Sequence, residues 1–206
     1  MIKETEQYVK DFHQGDTSGH DYSHIERVRK MALLLGEQEG ADLFIVEMAA
    51  LLHDTVDDKL TDEVTAWSKL ENFFEKIELN VEQREAIKHI LKYMSFKGGK
   101  NISKLESIEG KVVQDADRLD AIGAIGIART FMFAGRFGDM MYNPAIPPRD
   151  LETADYREKT HAINHFYEKL FKLKDLMNTE SGKKIAADRH RFMEQFIDQF
   201  KTEWHS

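Results

Sequence analysis

Apolar residues recur three and four positions apart along nearly the whole chain, the spacing of helices that bury one face. Ile2, Thr5, Val9 and Phe12 predict a first helix that stops near Gly15. From His24, the series Val28, Met31, Ala32 and Leu35 predicts an amphipathic helix ending near Gly40. Asp42 stands as the N-cap of a third helix, "LFIVEMAALLHD", whose mostly apolar make-up marks it as buried. A fourth follows over about 61–77, with Val64, Trp67, Leu70, Phe73, Phe74 and Ile77. A fifth over 81–94 has Asn80 as cap and Ile87, Ile90, Leu91 and Met94 on its stripe. The segment "SFKGGKN" breaks the pattern. Ser103 and Glu106 then stand in capping-box spacing, opening one long helical stretch through "VVQDADRLDAIGAIGIARTFMFAG". Residues 135–155 hold all three prolines and no periodicity, which predicts a long loop. Two last helices are expected over about 155–177 (Ile163, Phe166, Leu170, Leu173) and 181–204 (Ile185, Phe192, Phe196, Phe200). No strand-like alternation appears. The expected fold is all-α: a single domain over 1–206, with the helices of about 155–204 packed back on the first six.

Composition narrows the function classes. The 206 residues, 41% hydrophobic and 32% charged, are enough to bury a real core. No run approaches the ~20 apolar residues of a membrane span, and "MIKETEQYVK" has no apolar leader core, so the expected compartment is the cytoplasm. There is no cysteine, so any metal must be held by His, Asp or Glu. A net charge of −8 argues against nucleic-acid binding, while a small phosphorylated ligand remains open if a metal supplies local positive charge.

Three segments, "GHDYSHIERV", "LLHDTVDD" and "VVQDADRLDAIG", place ionisable groups on or beside apolar stripes. His24 continues the face of Val28 and Leu35, His53 follows Val46 and Ala50, and Asp117 follows Val113. A carboxylate sent inward needs a cation, strong donors or a proton, because burying it alone costs several kcal/mol. Two imidazoles and two carboxylates without thiols suit a divalent ion such as Mn²⁺, Fe²⁺, Mg²⁺ or Zn²⁺. Each feature also has a plainer reading: a core histidine, a chance His-Asp pair, solvated acids at Asp57 and Asp58, exposed flanking acids at Asp115 and Asp120.

The order His24, then His53-Asp54, then Asp117 resembles the metal-binding signature of the HD-domain superfamily of phosphohydrolases. "SHIERV", "LLHD" and "DADRLDAIG" match its local wording. With the proline loop and the C-terminal segment, the likeness narrows to the bacterial YpgQ/YedJ branch and runs over nearly the whole chain. The resemblance implies an HD core over about 20–125 and one divalent ion, Mn²⁺ first and Mg²⁺, Fe²⁺, Ni²⁺ or Zn²⁺ after it. His24, His53, Asp54 and Asp117 would be its ligands. It further implies hydrolysis of (deoxy)nucleoside triphosphates to release pyrophosphate. Alternatives are a phosphodiesterase or guanosine-tetraphosphate-type hydrolase, and a metal-retaining nucleotide sensor without catalysis. Asp57 and Asp58 stand where guanosine-tetraphosphate hydrolases of the superfamily carry a catalytic Glu-Asp pair; Asp58 is the preferred acid–base group. Arg27, Lys59, Lys97 and Arg118 are candidate phosphate contacts, His20 a candidate substrate or buttressing group, and Tyr22 and Phe96 candidate base-stacking rings. The expected partner is a small-molecule nucleotide, and a homodimer is an allowed assembly.

Overall fold

The computed structural model describes residues 1–13, 21–56, 63–94, 105–150 and 160–206. Among them every regular element is helical, and none is long and apolar enough to cross a membrane. They fall into two compact units, Met1–Ala116 and Asp117–Ser206.

In the first unit, α1 (Ile2–Phe12), α2 (Tyr22–Glu39) and α5 (Val81–Tyr93) each pack against α3 (Leu43–Leu52). The reason is compositional: Ile45, Val46 and Met48–Leu52 are all buried, leaving only Leu43, Phe44 and Glu47 of α3 in contact with water. Its start is set by Asp42, whose carboxylate accepts from the amides of Phe44 and Ile45. Asn80 caps α5 in the same way through the amide of Gln83. Helix α2 ends at Gly40 in the left-handed region (φ 69°), a conformation that costs glycine nothing. In α4 (Glu63–Lys76), Ala66, Leu70, Phe73 and Phe74 are buried, and Phe73 stacks on Tyr8 of α1 at 4.3 Å. Val64, expected on that stripe, is exposed in the first turn.

Helix α6 runs from Ile108 to Asp120. The expected capping box at Ser103 and Glu106 is not its start: Ser103 lies outside the described residues and Glu106 precedes the helix, while the Ser107 hydroxyl accepts from the Gly110 amide at 3.1 Å. Nor does one helix continue to residue 135. The chain turns at Ala121–Ile122, and Gly123 takes φ 77° as α7 (Gly123–Phe137) begins. A Cβ on Gly123 would also stand 3.0 Å from Arg189 Cγ, so position 123 requires glycine twice over. Periodicity read through this turn because apolar spacing is the same on both sides of it.

The second unit holds α7, α8 (Ala162–Glu168), a 3₁₀ segment Leu170–Leu176 and α9 (Glu180–His205). The single helix expected over 155–177 is thus two short pieces, broken at Lys169 (φ −134°, ψ −56°). Its stripe is right: Ile163, Phe166, Leu170 and Leu173 are buried. In α9 the buried face is Gly182, Ala186, Met193 and Ile197; Phe192, expected inside, is exposed. Phe196 and Phe200 are half-buried in a cluster with Phe131 and Phe166, ring centroids 5.9–6.4 Å apart.

The proline-rich loop begins four residues later than expected, after Gly138 ends α7 in the left-handed region. It is tied down by side chains of α8 and the residues before it. Asn164 donates to the carbonyls of Ile146 and Pro147, both at 3.1 Å. Glu168 is buried and accepts from the amide, Nε and Nη2 of Arg149 (2.9, 3.0 and 2.8 Å) and from the Thr160 hydroxyl (3.2 Å).

His165, on α8, has its pKa pushed down to about 4, first by burial and then by the charge of Lys169. The folded state therefore resists protonation that the unfolded chain accepts near 6.5. Stability contributed here is complete above pH 6.5 and is lost as pH falls towards about 4, by up to about 3 kcal/mol. Denaturant melts of wild type and His165→Gln over this window should converge as pH drops; curves that stay parallel would exclude the assignment.

Candidate metal centre

His24 sits in the first turn of α2, and Asp21 governs how that turn begins. The Asp21 carboxylate accepts from the Ser23 hydroxyl (2.6 Å) and the His24 amide (3.1 Å). These bonds, that of Ser23 foremost, hold the Asp21 carboxyl below its usual range against the opposing pull of burial. The acid thus stays ionised and fixes the backbone under His24.

His53 and Asp54 follow α3 at its C-terminal end, in a 3₁₀ turn over His53–Val56. Adjacent side chains leave an α-helix about 100° apart and a 3₁₀ turn about 120° apart, so these two meet only through their far atoms, His53 Nε2 lying 3.3 Å from Asp54 Oδ1. The Thr55 hydroxyl secures the turn by donating to the Leu52 carbonyl at 2.7 Å.

His53 Nδ1 lies 2.8 Å from the Ala50 carbonyl, which can only accept, so Nδ1 carries the proton. Its Nε2 is left as a lone pair. That atom stands 3.2 Å from His24 Nε2 and 3.3 Å from Asp54 Oδ1, and His24 Nε2 is 3.6 Å from Asp54 Oδ2. All three side chains are buried, with His24 at 1% exposure and the other two at 5%. Asp117 directly follows Ala116 on α6, so the helix that closes the first unit carries it. His24, His53 and half-buried Asp117 each offer a ligand atom within 4.8 Å of the others.

This donor set fits a divalent ion. Acceptor atoms converging in a dry site repel unless a cation or a proton lies among them. Two ligands each about 2.0–2.2 Å from one ion stand roughly 3 Å apart, which the separations of 3.2 and 3.3 Å approach. Imidazole and carboxylate without thiolate favours Mn²⁺, Fe²⁺, Mg²⁺ or Zn²⁺ over softer ions. The His53–Ala50 bond is the outer contact that commonly orients a ligating imidazole.

Of the other expected site residues, Arg27, Arg118 and Tyr22 are among those described. Arg27 lies one turn beyond His24, with Nη1 3.1 Å from the Ser23 hydroxyl. Arg118 is buried and donates to the Leu176 carbonyl within the second unit. Tyr22, a candidate stacking ring, donates its hydroxyl to Glu6 at 3.1 Å. Asp115 and Asp120, open to a reading as exposed acids, are both buried, Asp120 against Arg129 at 2.6 Å. His20, Asp57, Asp58, Lys59, Phe96 and Lys97 lie outside the described residues. Sequence reasoning missed Asp21 and the Ala50 carbonyl. The first had a signal, an Asx residue three before the helix's histidine; a backbone carbonyl has none.

The family model for the HD domain matches residues 21–122. The YpgQ protein of Bacillus subtilis (strain 168) is 43% identical over 208 residues, spanning 98% of this chain and 94% of that one. Among solved structures, an HD-superfamily hydrolase from Bacillus thuringiensis is 49% identical and superposes with a TM-score of 0.81, covering 100% of this chain and 97% of its own. Bacillus subtilis YpgQ in complex with ADP is 41% identical, TM-score 0.79, covering 98% and 97%. HD domains bind divalent metals, in keeping with the donor set above. The chain belongs to the HD-domain superfamily, in the branch that YpgQ represents.

Proposed function

We propose that this protein is a metal-dependent phosphohydrolase that cleaves nucleotides, (deoxy)nucleoside triphosphates first, releasing pyrophosphate. The observation that carries the reading is the convergence of His24 Nε2, His53 Nε2 and the Asp54 carboxylate in a buried site. With Asp117 they would hold one divalent ion, Mn²⁺ foremost. When bound, such an ion polarises a phosphoryl oxygen and makes water a nucleophile near neutral pH. The protein's part is to present both imidazoles through Nε2, which the Ala50 carbonyl supports for His53 by accepting from its Nδ1. Asp58, and after it Asp57, are the proposed proton-transfer groups, placed four and three residues beyond Asp54 in sequence. Arg27, Lys59, Lys97 and Arg118, with His20, are the proposed substrate contacts.

Two likenesses support the nucleotide assignment: the B. thuringiensis neighbour is described as a hydrolase, and YpgQ was crystallised with ADP. The test is incubation of the purified chain with Mn²⁺ and a nucleotide panel, products identified by mass spectrometry. Nucleoside monophosphate plus pyrophosphate is the expected pair. Cleavage of cyclic nucleotides or of a 3′-pyrophosphate would replace the reading by a diesterase or guanosine-tetraphosphate-type hydrolase. Nucleotide binding without turnover would replace it by a sensor.

A further inference from the structure

The side chains that join α1 to α2 in the first unit gather on one acid. Glu6 Oε1 accepts from Lys10 of its own helix at 2.8 Å and from the Tyr22 hydroxyl at 3.1 Å, and Glu6 Oε2 lies 3.7 Å from Arg29 Nη1. Tyr22 is the first residue of α2, two before His24; Arg29 lies five residues beyond it. Arg29 in turn donates through Nε (2.9 Å) and Nη2 to Glu47 of α3, the helix that leads into His53 and Asp54. Lys10 Nζ also lies 4.9 Å over the Tyr22 ring. These groups are only part exposed, at 20–27% for Glu6, Arg29 and Glu47. Lys10 and Tyr22 hold the Glu6 carboxyl below its usual range.

A single exposed ion pair contributes little to stability. A hub joining three helices ties the start of α2 to α1 through Tyr22, and its middle to α1 and α3 through Arg29. The His24–His53 separation of 3.2 Å leaves little room for drift before one imidazole leaves the ion's reach. We propose that Glu6 is a positioning residue for the metal centre, holding the first turn of α2 against α1 and α3 through Tyr22 and Arg29. The inference rests on the metal reading above.

The full chain is titrated with Mn²⁺ by calorimetry, as wild type, Tyr22→Phe, Glu6→Gln and the double variant. Tyr22→Phe removes one hydroxyl and leaves the ring under Lys10. Expected is an Mn²⁺ affinity about tenfold weaker in each single variant, the scale of losses seen for groups that orient ligands. The metal-free melting temperature should stay within about 2 °C of wild type, as for part-exposed substitutions generally. The double variant should bind no more weakly than the worse single one, because both act through one contact. Wild-type affinity in the variants, or affinity lost only in step with melting temperature, overturns the positioning role and leaves the metal reading standing. Absence of Mn²⁺ binding by wild type overturns both.

Discussion

His53→Asn should abolish stoichiometric Mn²⁺ binding and lower nucleotide hydrolysis by about 10³-fold or more. The ion's contribution is several kcal/mol of transition-state stabilisation, and each 1.4 kcal/mol is a factor of ten. Asparagine is the informative replacement because its side-chain amide stands near the place of Nδ1. It can still donate to the Ala50 carbonyl, 2.8 Å from Nδ1 in the native site, so the helix end keeps that contact. What it lacks is the Nε2 lone pair, 3.2 Å from His24 Nε2 and 3.3 Å from Asp54. Alanine would remove both at once and confuse ligand loss with about 1–3 kcal/mol of lost hydrogen bonding. Metal content by mass spectrometry after dialysis, with initial rates on a triphosphate, measures both effects. An Asn variant that retains one Mn²⁺ per chain, or keeps more than a tenth of the rate, would remove His53 from the ligand set.

The position of His53 shows what was legible in the chain and why. Its environment follows from a local pattern: an aliphatic run buries α3, and the last turn of a buried helix has a fixed direction. His24 and Asp42 are legible for the same reason, since stripe and cap lie within one helix. Gly123 was not, because apolar spacing continues across the turn and only the φ of 77° reveals the break. Phe192 failed differently. Helical spacing allows a stripe centred on Phe192 and Phe196 or one centred on Met193 and Ile197, and packing within the second unit chose the latter. Arg118 carries a family-like neighbourhood, yet its partner is a carbonyl 58 residues away that periodicity cannot foresee. The Glu6 hub was invisible for that reason too: its contacts to Tyr22 and Arg29 run between helices, and each member alone reads as a solvated side chain.

Arg149→Met should lower stability by about 3–5 kcal/mol, the cost of breaking a buried pair and leaving one charge behind. For a chain of this length that is a fall of roughly 10 °C in melting temperature. Glu168 is 2% exposed and receives four hydrogen bonds, two of them from the Arg149 side chain. Burial alone would raise its carboxyl, but the Arg149 side-chain and backbone bonds, the Arg149 charge and the Thr160 hydroxyl together bring it below the ordinary 4.5. A depressed carboxyl contributes stability that is present above pH 4.5 and lost as pH falls through the folded value. In Arg149→Met the balance reverses, since burial then dominates and the acid takes up a proton more readily when folded. The gap between wild type and variant should therefore be widest near pH 7 and narrow towards pH 4, the more so because the Arg149 charge also helps hold the His165 imidazole down and the acid-side loss there is smaller without it. Adding Glu168→Gln to the variant should recover part of the stability, because a neutral amide has no stranded charge. Circular-dichroism melts of the three proteins at pH 7 and pH 4 decide it. A pH-independent gap below about 1 kcal/mol would mean that the loop is held by Asn164 through the Ile146 and Pro147 carbonyls, with the Arg149–Glu168 pair contributing little.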